Sequence, residues 1–498
     1  MNVNPITRLD YPDPDVIRVE DTYYMVSTTM HFMPGCEILQ SFDLVHWEHV
    51  TYVYETLDHT DAQQLKSGQN IYGQGMWAAS LRYHEGRFYI CFVANDTRKT
   101  YLYTSEKIDG PWKKQLIEGF YHDGSLLFDE DGRNYIVYGN DEIWITELNE
   151  DLTAPKKDGL HRLLVSDHKN PELGYEGSHI QKINGYYYIF LIHSLRDRWM
   201  RTEACFYSDS LEGEFTGGDV LCDDRGYCGQ GVAQGGIVDT PDGKWYAMLF
   251  QDSGAVGRIP ILVPVTWKDH FPFFGQNGHV PEEIEVHSTR PGYIYQPLVG
   301  SDDFCNGLLP HWQFNHDPDP RYYHLDALQG TYTITTREVC TELTQAVNTL
   351  TQRMSYPSCA AEVTVDASAL KEGDVAGLCA LQSCYAAVGI TKHHGKYEVL
   401  MLDKKEDGIL DMTEGTVVES HQMDFRLEAD FCNMKDEARC YYRVNKGDWL
   451  PIGTVHKLYF KLDHFTGCRF GLFCYAAEET GGSACFRDFK YYDVDEIS

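Results

Sequence analysis

Asp13-Pro-Asp-Val-Ile-Arg-Val-Glu-Asp-Thr22 is the first of five short segments that share one layout. The others run Trp77 to Gly86, Asp123 to Gly132, Glu176 to Gly185 and Gln234 to Gly243. In every copy a turn residue (Thr22, Gly86, Gly132, Gly185 or Gly243) lies nine positions after a polar or aromatic residue. A strand-like run then follows, such as Tyr23-Tyr-Met-Val or Tyr135-Ile-Val-Tyr. Copies begin 46 to 64 residues apart. A hairpin repeated at that spacing predicts a β-propeller with one marked hairpin per blade. Asn-Gly at 184–185 and Asp-Gly at 131–132 and 242–243 are strong hairpin signals. Each marked hairpin is followed by a second strand pair, clearest from Gly35 to Trp47, so two hairpins make a four-stranded blade. The expected fold is all-β, with a five-bladed propeller over residues 1–287.

Past the last copy, Ser288-Thr-Arg-Pro-Gly-Tyr-Ile-Tyr-Gln-Pro297 reads as an extended crossing, so 288–302 is expected to be a linker. From 303 to 498 the strands are short and alternating, as in Ala360-Ala-Glu-Val-Thr-Val and Arg469-Phe-Gly-Leu-Phe-Cys-Tyr. That pattern, without helical periodicity, predicts a β-sandwich. At 498 residues the chain is long enough for two cores.

Lys and Arg number 42 and Asp and Glu 75, a formal charge of −33. Phosphate backbones would be repelled, so no nucleic-acid partner is expected. No apolar run approaches a membrane span, and the opening Met1-Asn-Val-Asn-Pro-Ile-Thr lacks a signal pattern, so neither membrane association nor export is expected. The acidity neither requires nor forbids a homo-oligomer. Fifteen cysteines lack CxxC or Cys/His ligand spacing, and many lie in apolar runs. Free thiols in a reducing cytoplasm account for them best.

If the five segments ring one axis, Asp13, Asp123 and Glu176 converge at one mouth, with Trp77 and Gln234 completing the ring. A lone Asp before a hairpin is most often a turn residue. Three carboxylates in one register outweigh that reading. Asp15, Asp21, Asp129 and Asp131, which lack the register, are expected to be solvated turn residues. Inverting glycoside hydrolysis needs two carboxyls about 6.5–9.5 Å apart with room for a water. Asp13 and Glu176 are candidates for that pair, and Asp123 for a neighbour that raises the acid's pKa. Trp77 is a candidate sugar platform, alternatively inter-blade packing. Gln234 is a candidate substrate contact, alternatively a buried hydrogen-bond hub.

Several motifs resemble those of glycoside hydrolase family 43. They are Tyr11-Pro-Asp-Pro-Asp15, Trp77-Ala-Ala-Ser-Leu-Arg-Tyr, His122-Asp-Gly-Ser-Leu-Leu-Phe, Glu176-Gly-Ser-His-Ile, Gln234-Gly-Gly-Ile-Val-Asp and Gln251-Asp-Ser-Gly-Ala-Val-Gly-Arg258. Leu309-Pro-His-Trp-Gln-Phe-Asn resembles the start of that family's C-terminal concanavalin-like domain. The resemblance implies an inverting exo-hydrolase that releases terminal β-D-xylosyl or α-L-arabinofuranosyl units from plant-derived oligosaccharides. Carried over by position, Asp13 is the general base, Asp123 the pKa modulator and Glu176 the general acid. Arg258 corresponds to a substrate-contacting arginine. Met33, with Phe32 beside it, falls where the first-blade loop approaches the sugar. Phe465 is the candidate from a sandwich loop that closes the pocket.

Two positions depart from the family pattern. Trp-Ala-Ala-Ser stands in place of the commoner Trp-Ala-Pro-Ser. Gln234 stands where some relatives carry a His close to a central metal ion, which puts a structural calcium in doubt. No cofactor is expected to be required. A non-catalytic sugar-binding propeller and a retaining hydrolase remain as rival readings, and the choice between xylose and arabinofuranose stays open.

Overall fold

The computed structural model describes residues 3–413 and 415–493. Residues 1–2 and 494–498, the outer ends of the two expected domains, lie outside the described residues, as does Glu414. The described chain is almost wholly β, with four short 3-10 turns. Among the described residues no helix is long and apolar enough to cross a membrane.

All five repeats form antiparallel sheets. Blade one holds Asp15–Val19, Thr22–Val26, Gly35–Ser41 and Glu48–Tyr54. Blade two holds Met76–His84, Arg87–Ala94, Lys99–Ser105 and Lys113–Ile117. Blade three runs from Ser125–Phe128 to His161–Ser166, and blade four from Glu176–Ile183 to Thr216–Leu221. In blade five the inner strand is split into Val232–Ala233 and Ile237–Asp239, and the sheet ends at Phe271–Phe274. Gly86, Gly132, Gly185 and Gly243 sit at φ 79–84° in their turns, a region that disfavours a Cβ.

Blade stacking explains why the second strands are apolar on both faces. In Tyr186–Ser194, Tyr187, Ile189 and Leu191 pack with Leu127, Tyr135 and Val137 of blade three. The alternate residues, Tyr188 and Phe190, pack with Ile237, Leu249 and Ile261 of blade five. Each such side chain, once buried, contributes about 1.5–3 kcal/mol. The ring closes between blades five and one. The Arg18 guanidinium pairs with Asp239 at 2.5 Å, and Asn4 exchanges hydrogen bonds with the backbone of Leu262.

The remaining strands form two facing sheets of nine and seven strands. Their shared core includes Val363, Leu378, Phe425, Phe470, Leu472 and Phe486, and it takes in Ala255 and Val256 from the top of blade five. The segment between the two domains lies along blade one, with the Thr289 hydroxyl donating to Asp21 O and Gln296 N–H to Glu48. All fifteen cysteines are free, ten of them buried.

The two domains are knitted together by buried polar contacts. Arg353 donates to Glu37 at 2.8 Å and to the carbonyl of Asp10 at 2.9 Å. Phe32–Met33, at the mouth of blade one, pairs with Gln313–Asn315 and so forms one edge of the nine-stranded sheet.

Candidate active site

The five marked positions meet at the mouth because the backbone turns sharply there in every blade. Asp13, Asp123 and Gln234 adopt φ of 52°, 48° and 63°. Trp77 is the second residue of its strand and Glu176 the first, and the residue after each, Ala78 or Gly177, takes the positive φ. Both strands carry a register shift directly after the marked residue. Such bulges re-aim a side chain from the sheet face toward the ring axis. Gly177 sits at φ 65°, which strains any residue with a Cβ, and a Cβ there would also lie 2.7 Å from the Gln234 side chain.

Asp13 is 7% exposed and both its oxygens are engaged. Thr28 donates its hydroxyl to Oδ2 at 2.6 Å and itself accepts the Ala78 N–H at 2.8 Å. Arg258 Nη1 lies 3.1 Å from Oδ1. The same guanidinium donates to the carbonyl of Phe465 at 3.4 Å and lies 4.2 Å from that residue's ring centre. Phe465 packs in turn against Trp77, with ring centres 5.4 Å apart.

On the other side, His122 stands between two carboxylates. Its Nε2 lies 3.5 Å from Asp123 Oδ2 and 3.5 Å from Glu176 Oε2. Asp123 Oδ2 also accepts the Gly177 N–H at 2.9 Å. Glu176 Oε2 also accepts from Asn140 at 2.8 Å, whereas among the described residues nothing bonds Oε1. Asp123 is buried; burial, the Glu176 charge and the Asp13 charge push its carboxyl up to about 6, against the pull of His122. His122 is pushed up to about 9, chiefly by Asp123 and then by Glu176, with burial opposing. The expected neighbour effect therefore falls on Asp123.

Trp77 is half-buried and faces Phe465 and His122. Gln234 is 4% exposed. Its side chain lies against Gly177, and its N–H donates to Glu203 Oε2 at 2.7 Å. Burial pushes the Glu203 carboxyl well above its ordinary value.

Phe32 and Met33 do not contribute pocket surface, contrary to expectation. They are 1% and 0% exposed. Met33 packs with Val26, Ile38 and Phe92, and Arg469 covers the Phe32 ring at 3.4 Å. Both serve as an interdomain strand instead. His122, Asn140 and Thr28 were missed. His122 was legible in principle, because it directly precedes Asp123 in the quoted motif.

Two groups bear on a metal. At the axis, Asp15 is fully buried, not a solvated turn residue. Its Oδ1 meets His179 at 3.1 Å, while Oδ2 accepts from Leu81 N–H and Arg82. Burial pushes this carboxyl up, but Arg82 and His179 outweigh it and hold it below its ordinary value. Arg82 reaches Leu126 O, Ser125 and Ile180 O as well, joining blades one to four. A carboxylate already neutralised by a guanidinium is a poor calcium ligand, so the axial residues do not fit that ion. The donor atoms of His122, Asp123 and Glu176 lie within 4.8 Å of one another.

The family model described as "Glycosyl hydrolases family 43" matches residues 3–272, and that of the "Beta xylosidase C-terminal Concanavalin A-like domain" matches 301–492. A β-xylosidase of Formosa agariphila is 26% identical, with 99% of this chain and 89% of the relative covered. A non-reducing end α-L-arabinofuranosidase of Bacteroides ovatus is 24% identical over 82% of this chain and 79% of its own length. Among solved structures, a bifunctional GH43-CE protein of Bacteroides eggerthii superposes with a TM-score of 0.92 at 42% identity. That match covers 99% of this chain, which spans 64% of the relative. A second, a GH43 glycoside hydrolase engineered to display both endo-xylanase and exo-arabinofuranosidase activity, gives 0.86 at 27% identity and covers 99% of each chain.

Proposed function

The chain belongs to glycosyl hydrolase family 43, and from that premise we propose an inverting exo-hydrolase that removes terminal β-D-xylosyl or α-L-arabinofuranosyl units from short oligosaccharides. The observation that carries this reading is the separation of two carboxylates into unlike settings. Asp13 is gripped at both oxygens by a hydroxyl and a guanidinium, which fix its orientation. Glu176 leaves Oε1 unbonded, ready to carry a proton to the departing oxygen.

In the proposed step, Asp13 takes a proton from a water as that water attacks the anomeric carbon, and Glu176 protonates the leaving oxygen. Asp123, although its carboxyl is shifted up as a donor's would be, is placed less suitably to reach the leaving oxygen. It is 6% exposed, and its Oδ2 is held by the Gly177 N–H and His122. Its role is to fix His122 and Gly177 around Glu176. Phe465 comes from the sandwich and closes one side of the pocket against Trp77, which supports exo action. The two curated relatives are named for the two candidate sugars, and the fifteen free thiols favour a reducing, cytoplasmic setting.

Turnover of aryl β-D-xyloside and aryl α-L-arabinofuranoside, measured side by side with and without chelator, tests the reading. Cleavage of either supports it, and the ratio names the sugar. Loss of activity with chelator would contradict the metal-free step, and no cleavage of either would overturn the whole.

A further inference from the structure

The hairpin that tops blade four, Leu195-Arg-Asp-Arg-Trp-Met-Arg201, holds an aromatic residue that the proposed step leaves unused. Trp199 is 45% exposed, and the Arg201 guanidinium lies 5.4 Å from its ring centre. Arg201 is itself buried, paired with Asp252 at 2.8 Å, and 5.1 Å from the centre of Phe250. Arg258 lies 5.5 Å from that same ring and 4.2 Å from Phe465. Aromatic rings and guanidinium groups therefore alternate from Trp199 to the pocket wall. Guanidinium–ring attraction is strongest where the cation is desolvated, so the buried Arg201 fixes the indole relative to Arg258 and Asp13.

The blade decides which sugar meets the indole, given the assignment of Glu176 as acid on which this inference rests. Glu176 pairs with Ile192, and Ser194 pairs with Arg201 at the base of the turn. Two strand residues rise roughly 7 Å, so Trp199 stands outward of Glu176 on the same blade. An acid that protonates the leaving oxygen has the leaving group on its own side. The neighbouring Arg196 and Arg198 are paired with Asp167 and Asp197, so the hairpin offers a flat, apolar stacking face and not an anion site.

We propose that Trp199 is the platform on which the leaving-group sugars of a short pentose oligosaccharide stack, making it a determinant of chain-length preference. The open face of an indole suits the C–H face of a sugar ring, while its edge stays in water.

The test compares kcat/KM on an unsubstituted pentose oligosaccharide of three or more units with kcat/KM on the corresponding glycosyl fluoride. The fluoride leaves as a single atom and reaches no platform. Trp199→Ala is expected to lower the oligosaccharide-to-fluoride ratio about tenfold, and Trp199→Tyr to restore most of it. Trp199→Gln gives the same reading should the alanine variant fold poorly. A ratio within twofold of the native enzyme's in both truncations would overturn the platform. Native enzyme that cleaves neither substrate would instead reject the underlying reading, and the platform with it.

Discussion

The Arg258 guanidinium lies 3.1 Å from an Asp13 carboxylate oxygen, and both side chains are largely buried. The Phe465 ring, carried by the second domain, covers the same guanidinium. The proposed base is thus oriented partly by a residue more than four hundred positions away in sequence. Arg258→Lys should lower kcat/KM roughly 10²-fold, because an ammonium cannot reach Asp13 and the Phe465 carbonyl with one planar fork. Phe465→Ala should cost about tenfold, with the fold intact by circular dichroism. Values within twofold of native for both variants would contradict this.

Asp13→Ala and Glu176→Ala should each reduce turnover of oligosaccharides by about 10²–10⁴-fold. The two should part company on activated aryl glycosides. A good leaving group needs little protonation, so Glu176→Ala should recover much of its loss there while Asp13→Ala should not. Equal losses on both substrates in Glu176→Ala would remove it as the acid.

The ring of marked residues was legible because a propeller repeats its hairpin in register, and that register survives in turn glycines and apolar runs. Asp15 was not legible. Two residues from Asp13, it reads as another turn carboxylate, and only the arrival of Arg82 and His179 from two other blades makes it an axial anchor. Asp129 was misjudged for the same reason: it is 4% exposed and held by Lys182 and Tyr187 of the next blade. Phe32 and Met33 were placed on the pocket because their loop lies at the mouth. Their pairing with Gln313–Asn315 depends on the docking of the second domain, which no local pattern encodes.

His122 should make native stability fall with alkaline pH. Its pKa is raised from the ordinary 6.5 to about 9 in the folded protein, chiefly by Asp123. Its ionic contribution is therefore fully present below about 6.5 and lost as pH rises through about 9. The gap in urea midpoint between the native enzyme and His122→Gln should be widest near pH 6 and shrink toward pH 9.5. A gap that stays constant across that range would contradict a charged His122.

Arg353 and Glu37 form a buried pair across the domain interface at 2.8 Å. Burial pushes Glu37 up, but Arg353 and His49 outweigh it and hold it down to about 2. That contribution is present above about 4.5 and is lost as pH falls toward 2. Arg353→Met should destabilise by about 3–5 kcal/mol by leaving Glu37 buried and unpaired. Adding Glu37→Gln should recover part of the loss. A double variant as unstable as the sum of the two single variants would show that the pair is not coupled.

Proton NMR of the first sugar released from an aryl β-D-xyloside or aryl α-L-arabinofuranoside tests the central claim most directly. Inversion, with Asp13 activating water and Glu176 protonating the leaving oxygen, predicts α-xylose or β-arabinofuranose as the first anomer, before mutarotation. Release of the retained anomer would make Asp13 a nucleophile and contradict the account.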